Sequence, residues 1–158
     1  MTLRPDFSRL TLRGALDLAI TIEEEAQLRY QEFAARVSDP AAAAFFREMV
    51  ANEAKHRRQL ESRRHVLFRH EPPRFEISMV DDVEAPSPEE VPRAIGAREA
   101  MEVALRAEVR AREFYDEALV HLTDPDVKAF FAELRDEEVE HQALLRGKLA
   151  RLEERGGG

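Results

Sequence analysis

Shifted by 85 residues, the chain lies over itself without a gap: residues 15–60 match residues 100–145 with 15 identities in 46 positions. The shared residues include Glu23/Glu108, Tyr30/Tyr115, Asp39-Pro40/Asp124-Pro125, Phe45-Phe46/Phe130-Phe131, Glu53/Glu138 and His56/His141. Within each copy, apolar residues recur at alternating steps of four and three, which marks one face of a helix. The seams read Leu12, Leu16, Ala19, Glu23, Ala26, Tyr30, Phe33, Val37; then Ala42, Phe46, Met49, Glu53, His56, Leu60, with Arg63 and Leu67 near the end. In the second copy they read Ala97, Met101, Ala104, Glu108, Ala111, Tyr115, Ala118, Leu122; then Val127, Phe131, Leu134, Glu138, His141, Leu145, Lys148, Leu152. Ser38-Asp39-Pro40 and Thr123-Asp124-Pro125 each place a capping Asp before a Pro at the first helical position, so each copy is a tight helical hairpin.

The hairpins are expected at about 11–68 and 95–153. The segment between them, about 69–94, is of another kind: it holds Pro72, Pro73, Pro86, Pro88 and Pro92 around a short apolar run at 75–80. It is long enough to cross the length of a bundle. The expectation is an all-α four-helix bundle with one long crossover between its second and third helices, forming a single domain over 1–158. The closing Gly156-Gly157-Gly158 reads as a frayed end.

Glu23, Glu53, Glu108 and Glu138 stand on the seams where Leu or Ala would otherwise pack. Burying a carboxylate without a partner costs several kcal/mol. No Lys or Arg shares the middle of any seam, so something else must offset the charge. Two divalent cations would cancel four carboxylates, and neutral His56 and His141 would complete the shell. Residues three apart share a helix face, so Glu53 and His56 can converge on one ion, and Glu138 and His141 on another. Such oxygen and imidazole donors suit iron or manganese better than magnesium, calcium or copper. Glu-x-x-His alone is a weak signal in a chain this rich in Glu. The discriminating facts are that both copies fall at equivalent repeat positions, on the seam, each 30 residues after another seam Glu. The competing reading is a metal-free bundle in which duplicated polar residues satisfy one another. Tyr30 and Tyr115 follow the first glutamates by one heptad, where they are either hydrogen-bond donors to ligand carboxylates or amphipathic core aromatics. The Phe pairs read as packing, and His65, His70 and His121, unmatched in the repeat, as surface residues.

These motifs, Glu23…Tyr30…Glu53-Ala-Lys-His56 and Glu108…Tyr115…Glu138-Val-Glu-His141, resemble those of the ferritin-like superfamily, and within it most closely the rubrerythrin group. The resemblance covers both hairpins. It implies a non-haem di-iron protein that reduces hydrogen peroxide or oxygen, with Glu53 and Glu138 bridging the metals, Glu23 and Glu108 terminal, and His56 and His141 one on each. Two departures stand out. Rubrerythrins carry a cysteine-bearing rubredoxin domain, which this cysteine-free sequence lacks, so electrons would come from a separate rubredoxin-like donor or from ferrous iron. Rubrerythrins also carry an extra carboxylate one turn from the third-helix ligand; here those positions are Leu105 and Ala111, which implies a symmetrical site closer to that of bacterioferritins. The alternative functions are a ferroxidase or iron-storage protein of bacterioferritin or encapsulated-ferritin type, and a non-enzymatic metal sensor or structural bundle.

Bulk composition narrows the rest. Without cysteine there is no disulfide, thiolate metal site or iron–sulfur cluster, and no haem is expected. A net charge of −8 argues against nucleic-acid binding, and the one basic stretch, Arg57, Arg58, Arg63, Arg64, Arg69, reads as a solvated helix face. The first residues lack a signal-peptide core and no stretch is apolar enough to span a membrane, so the expected location is the cytoplasm. The expected partners are peroxide or oxygen, an electron donor, and further copies of the chain in a homodimer or higher oligomer.

Overall fold

The Asp-Pro punctuation and the apolar seams set where the helices begin and which faces they bury. In the computed structural model, which describes residues 7–72 and 95–154, a short 3-10 turn at Phe7–Arg9 precedes four helices. They are α1 (Leu12–Arg36), α2 (Pro40–Phe68), α3 (Ala97–His121) and α4 (Pro125–Glu154). At the start of α2, Asp39 Oδ2 accepts from the Ala42 amide at 2.8 Å, and Pro40 spends its missing N–H where no helical partner exists. At the start of α4, Asp124 Oδ1 accepts from the amides of Asp126 and Val127 at 2.8 and 3.2 Å. The Thr11 hydroxyl caps α1 through the Gly14 amide at 3.1 Å. Helices α1 and α2 thus occupy 12–68 and α3 and α4 occupy 97–154; most of the expected crossover, residues 73–94, lies outside the described residues.

The buried side chains form two apolar clusters. One gathers Leu16, Leu18 and Ile22 of α1, Leu60 of α2, Ala111 to Leu122 around α3, and Val127 to Leu134 of α4. The other gathers Tyr30 and Phe33 of α1, Ala42 to Met49 of α2, Ala97 to Ala104 of α3, and Leu145 of α4. Helices α1 and α4 therefore run from the first cluster to the second, and α2 and α3 run back. This is why each hairpin is antiparallel. It also separates the end of α2 from the start of α3: Phe68 packs against the first cluster, whereas Ile95 bridges to Val37 beside the second, its amide donating to Arg36 O at 3.4 Å. The end of α2 and the start of α3 thus lie at opposite ends of the bundle.

Both Phe pairs serve as packing. Phe46 stacks with Tyr30 at a ring separation of 6.0 Å, and Phe131 meets Tyr115 edge-on at 5.3 Å. Phe46 and Phe131 are fully buried, each contributing ~1.5–3 kcal/mol of apolar transfer. His65, His70 and His121 are exposed.

Two expectations need correction. The second seam leaves the core at Arg63 and Leu67, which are exposed. The basic stretch is not wholly solvated, because Arg64 turns inward, pairs with buried Asp17 of α1, and donates to the carbonyls of Arg69 and Glu71 at the end of α2. Sequence spacing could not show this, since Asp17 sits one position off the seam. Among the described residues no helix is long and apolar enough to cross a membrane.

Candidate metal centre

Each helix passes from one apolar cluster to the other at its seam glutamate. Glu23 follows Ile22 and precedes Tyr30; Glu53 lies between Met49 and Leu60, Glu108 between Ala104 and Ala111, and Glu138 between Leu134 and Leu145. The polar layer is thus walled by hydrocarbon on both sides, and the four carboxylates are only 2–5% exposed. Three sets of donor atoms lie within 4.8 Å of one another: Glu108, Glu138 and His141; Glu53, His56 and His141; and Glu23, His56 and Glu137. All six residues expected from the sequence are brought together. Glu53 belongs to the set that contains both histidines, as a carboxylate between two ions would, with its Oε1 at 3.3 Å from His141 Nδ1.

The layer has donor atoms to spare. Glu23 Oε2, Glu138 Oε2 and His56 Nδ1 are buried and make no hydrogen bond among the described residues. Leaving such atoms unmatched is costly. The residues present therefore fit a pair of hard or borderline cations, which would take up those lone pairs and the charge together.

Electrostatics within the layer follow from crowding like charges in a dry space. Burial pushes the Glu138 carboxyl well above its ordinary range, and the charges of Glu108, Glu53 and Glu23 push it further. Burial also penalises Glu108, but hydrogen bonds from Glu138, His141 and Tyr30 outweigh that and hold it near 2. Tyr30 Oη donates to Glu108 Oε1, and His141 Nδ1 lies 3.3 Å from Glu108 Oε2. For His141, burial opposes the charged ring, yet the hydrogen bond and charge of Glu108 win and its pKa rises. For His56, burial wins and its pKa falls. The duplicated histidines are thus shifted in opposite directions.

They are unlike in burial as well. The His141 side chain is 5% exposed and that of His56 21%. Beside His56 stands a carboxylate that the repeat did not flag: Glu137 Oε2 lies 3.7 Å from His56 Nδ1. Burial, then the charge of Glu23, raises the Glu137 carboxyl to about 7. The symmetrical site expected from Leu105 and Ala111 is therefore not what folds, because an additional carboxylate arrives from α4. Its repeat counterpart is Asn52, which is exposed. Tyr30 donates to a candidate ligand, and Tyr115 is likewise fully buried, its ring edge-on to those of Phe114 and Phe131.

The Rubrerythrin family profile matches residues 15–149. An uncharacterized conserved protein from Magnetospirillum magnetotacticum is 29% identical, with 89% of this chain and 95% of that one covered at a TM-score of 0.74. A hypothetical protein from Pyrococcus furiosus shares the fold at 22% identity and a TM-score of 0.68, covering 94% and 93% of the two chains. Ferritin-like di-iron-carboxylate proteins from Bacillus anthracis share it at 19% identity and 0.59, covering 93% and 99%. No curated protein matches the chain. With the profile spanning both hairpins and the Glu–His layer between them, the chain belongs to the Rubrerythrin family and has its ferritin-like four-helix fold.

Proposed function

We propose that this chain is a non-haem di-iron oxidoreductase that reduces hydrogen peroxide or oxygen, with Glu23, Glu53, His56, Glu108, Glu138 and His141 holding the two ions. Manganese is the alternative metal. The observation that carries the reading is the layer itself: four buried carboxylates converge with two imidazoles, with lone pairs unmatched. The ions would supply electrons and an electrophilic seat for a small oxidant. The protein's part is positional. Tyr30 holds Glu108 by its hydroxyl proton, which fixes that carboxylate on the His141 side. The apolar clusters exclude water from both ends of the layer, so charge within it is weakly screened. The half-exposed His56 and Glu137 edge leaves a route by which a small oxidant or an ion can arrive. Electrons come from a rubredoxin-like donor or from ferrous iron, since residues 1–158 include no cysteine to hold a second redox centre.

Metal analysis by plasma emission of protein purified without added metal, beside the Glu53→Ala, Glu138→Ala double variant, tests the site. About two iron or manganese atoms per chain, absent from the variant, followed by anaerobic turnover of peroxide, is the expected result. No metal in either protein, and no uptake of Fe(II) under anaerobic conditions, would overturn it. The same open edge favours a second reading, a ferroxidase that passes iron onward. Iron loading far beyond two per chain, in an assembly well above a dimer, would select that reading.

A further inference from the structure

The repeat presents two equivalent halves, but the folded layer does not. Glu137 is adjacent to Glu138 in α4 and so turned about 100° from it around the helix. Glu138 faces the buried layer with a side-chain exposure of 7%, whereas Glu137 sits at the layer's rim at 33%. There it completes a three-donor set with Glu23 and His56. On two of these residues an atom, Glu23 Oε2 and His56 Nδ1, is buried without a hydrogen bond among the described residues, and Glu23 as a whole is only 2% exposed. They point to an occupant, not to mutual satisfaction. The His141 set has no such rim residue: Glu108, Glu138 and His141 have side-chain exposures of 4%, 7% and 5%.

We propose that Glu137 is a seventh metal ligand, serving only the outer, His56-side position, and that it is the port through which this position exchanges its ion while the His141-side ion stays enclosed. The inference rests on the two-metal reading above. It follows from geometry and access. An ion on the His141 side is surrounded by buried donors and cannot leave without passing the outer position or opening the bundle. An ion on the His56 side has one ligand, Glu137, whose carboxylate can swing into water without disturbing the core. The repeat itself shows the asymmetry, since Asn52, the counterpart of Glu137, offers no carboxylate to the other half.

The test is anaerobic titration of the metal-free full chain with Co(II), read by visible absorption and by release to a chelator, for wild type, Glu137→Gln and Glu140→Gln. Glu140 is exposed, lies one turn further along α4, and removes the same charge without reaching the donor set. Wild type should bind two ions, one released to chelator much faster than the other. Glu137→Gln should keep one ion at wild-type affinity and weaken the other by about 10–100-fold or more, since loss of a ligand should cost at least what loss of a ligand's supporting partner does. Glu140→Gln should match wild type. Two ions bound and released as in wild type by Glu137→Gln would overturn the assignment, as would equal weakening of both sites. Wild type that binds no Co(II) would instead overturn the two-metal reading itself, so the two failures are distinguishable.

Discussion

Replacing Glu23 by Leu should stabilise the metal-free protein and reduce its response to metal. Glu23 is 2% exposed, lies on the α1 seam between Ala19 and Ala26, and has one carboxylate oxygen with no hydrogen bond. A Leu there continues the apolar seam at similar volume. Exchanging buried ionic groups for packed hydrocarbon typically gains ~1–4 kcal/mol. For 158 residues at about 2.1 cal/mol/K each, the unfolding entropy is about 0.33 kcal/mol/K, so each kcal/mol moves Tm by about 3 °C. In EDTA the variant should melt ~3–12 °C above wild type. Metal acts the other way. At one hundred times its dissociation constant, each bound ion adds about 2.7 kcal/mol, or roughly 8 °C. The variant, short of a ligand on the His56 side, should lose one of the two increments, so its lead should shrink by about 8 °C or reverse. Calorimetric melting with EDTA and with excess Mn(II) measures both. A variant less stable than wild type in EDTA, or two proteins raised equally by Mn(II), would refute the argument that Glu23 is kept for metal at the expense of the fold.

Glu137, Glu138 and His141 all have raised pKa values in the metal-free fold and must shed protons to bind metal. Uptake should therefore release protons and tighten from pH 6 to 8, with a heat of Mn(II) binding that varies with buffer ionisation enthalpy; a buffer-independent heat would contradict this. The same shifts fix the sign of metal-free stability. Groups that hold protons more tightly when folded contribute most below their unfolded values, 4.5 for Glu and 6.5 for His, and lose that contribution as pH rises through the folded ones. Metal-free Tm should fall from pH 5 to pH 8, the three raised groups outweighing His56, whose lowered pKa works in the opposite sense, and a rise would be the contrary result. Asp17→Ala, which strands Arg64 beside α1, should cost ~3–5 kcal/mol, at the lower end because Arg64 keeps the Arg69 and Glu71 carbonyls. Urea unfolding would measure it, and a loss under 1 kcal/mol would show that the pair contributes little. Asp39→Ala, losing the cap on Ala42, should cost ~0.5–2 kcal/mol in the same assay, and Asp124→Ala a similar amount; no loss in either would mean that solvent caps these helices equally well.

Features that depend on neighbours along the chain could be read from the residues alone. Helix starts at Pro40 and Pro125 are set by an Asp that reaches its own next turn, a contact independent of the rest of the fold. The seams that carry Glu23, Glu53, Glu108 and Glu138 are visible because the helical period places every third or fourth residue on one face. A charged residue there conflicts with its surroundings, and that conflict marked the polar layer. The repeat then tied the two halves to one arrangement.

Features that depend on which faces meet appeared only in the folded molecule. Glu137 and Asn52 occupy the same place in the repeat, and only packing shows that the former reaches His56. His56 and His141 are identical in motif, yet one lies at the rim and the other inside, because the elements around the layer do not cover its two sides equally. Arg64 looked like one more surface charge until α2 brought it against Asp17. In each case a residue's role was set by a neighbour far away in the chain or by its depth below the surface, and neither quantity is periodic along a sequence.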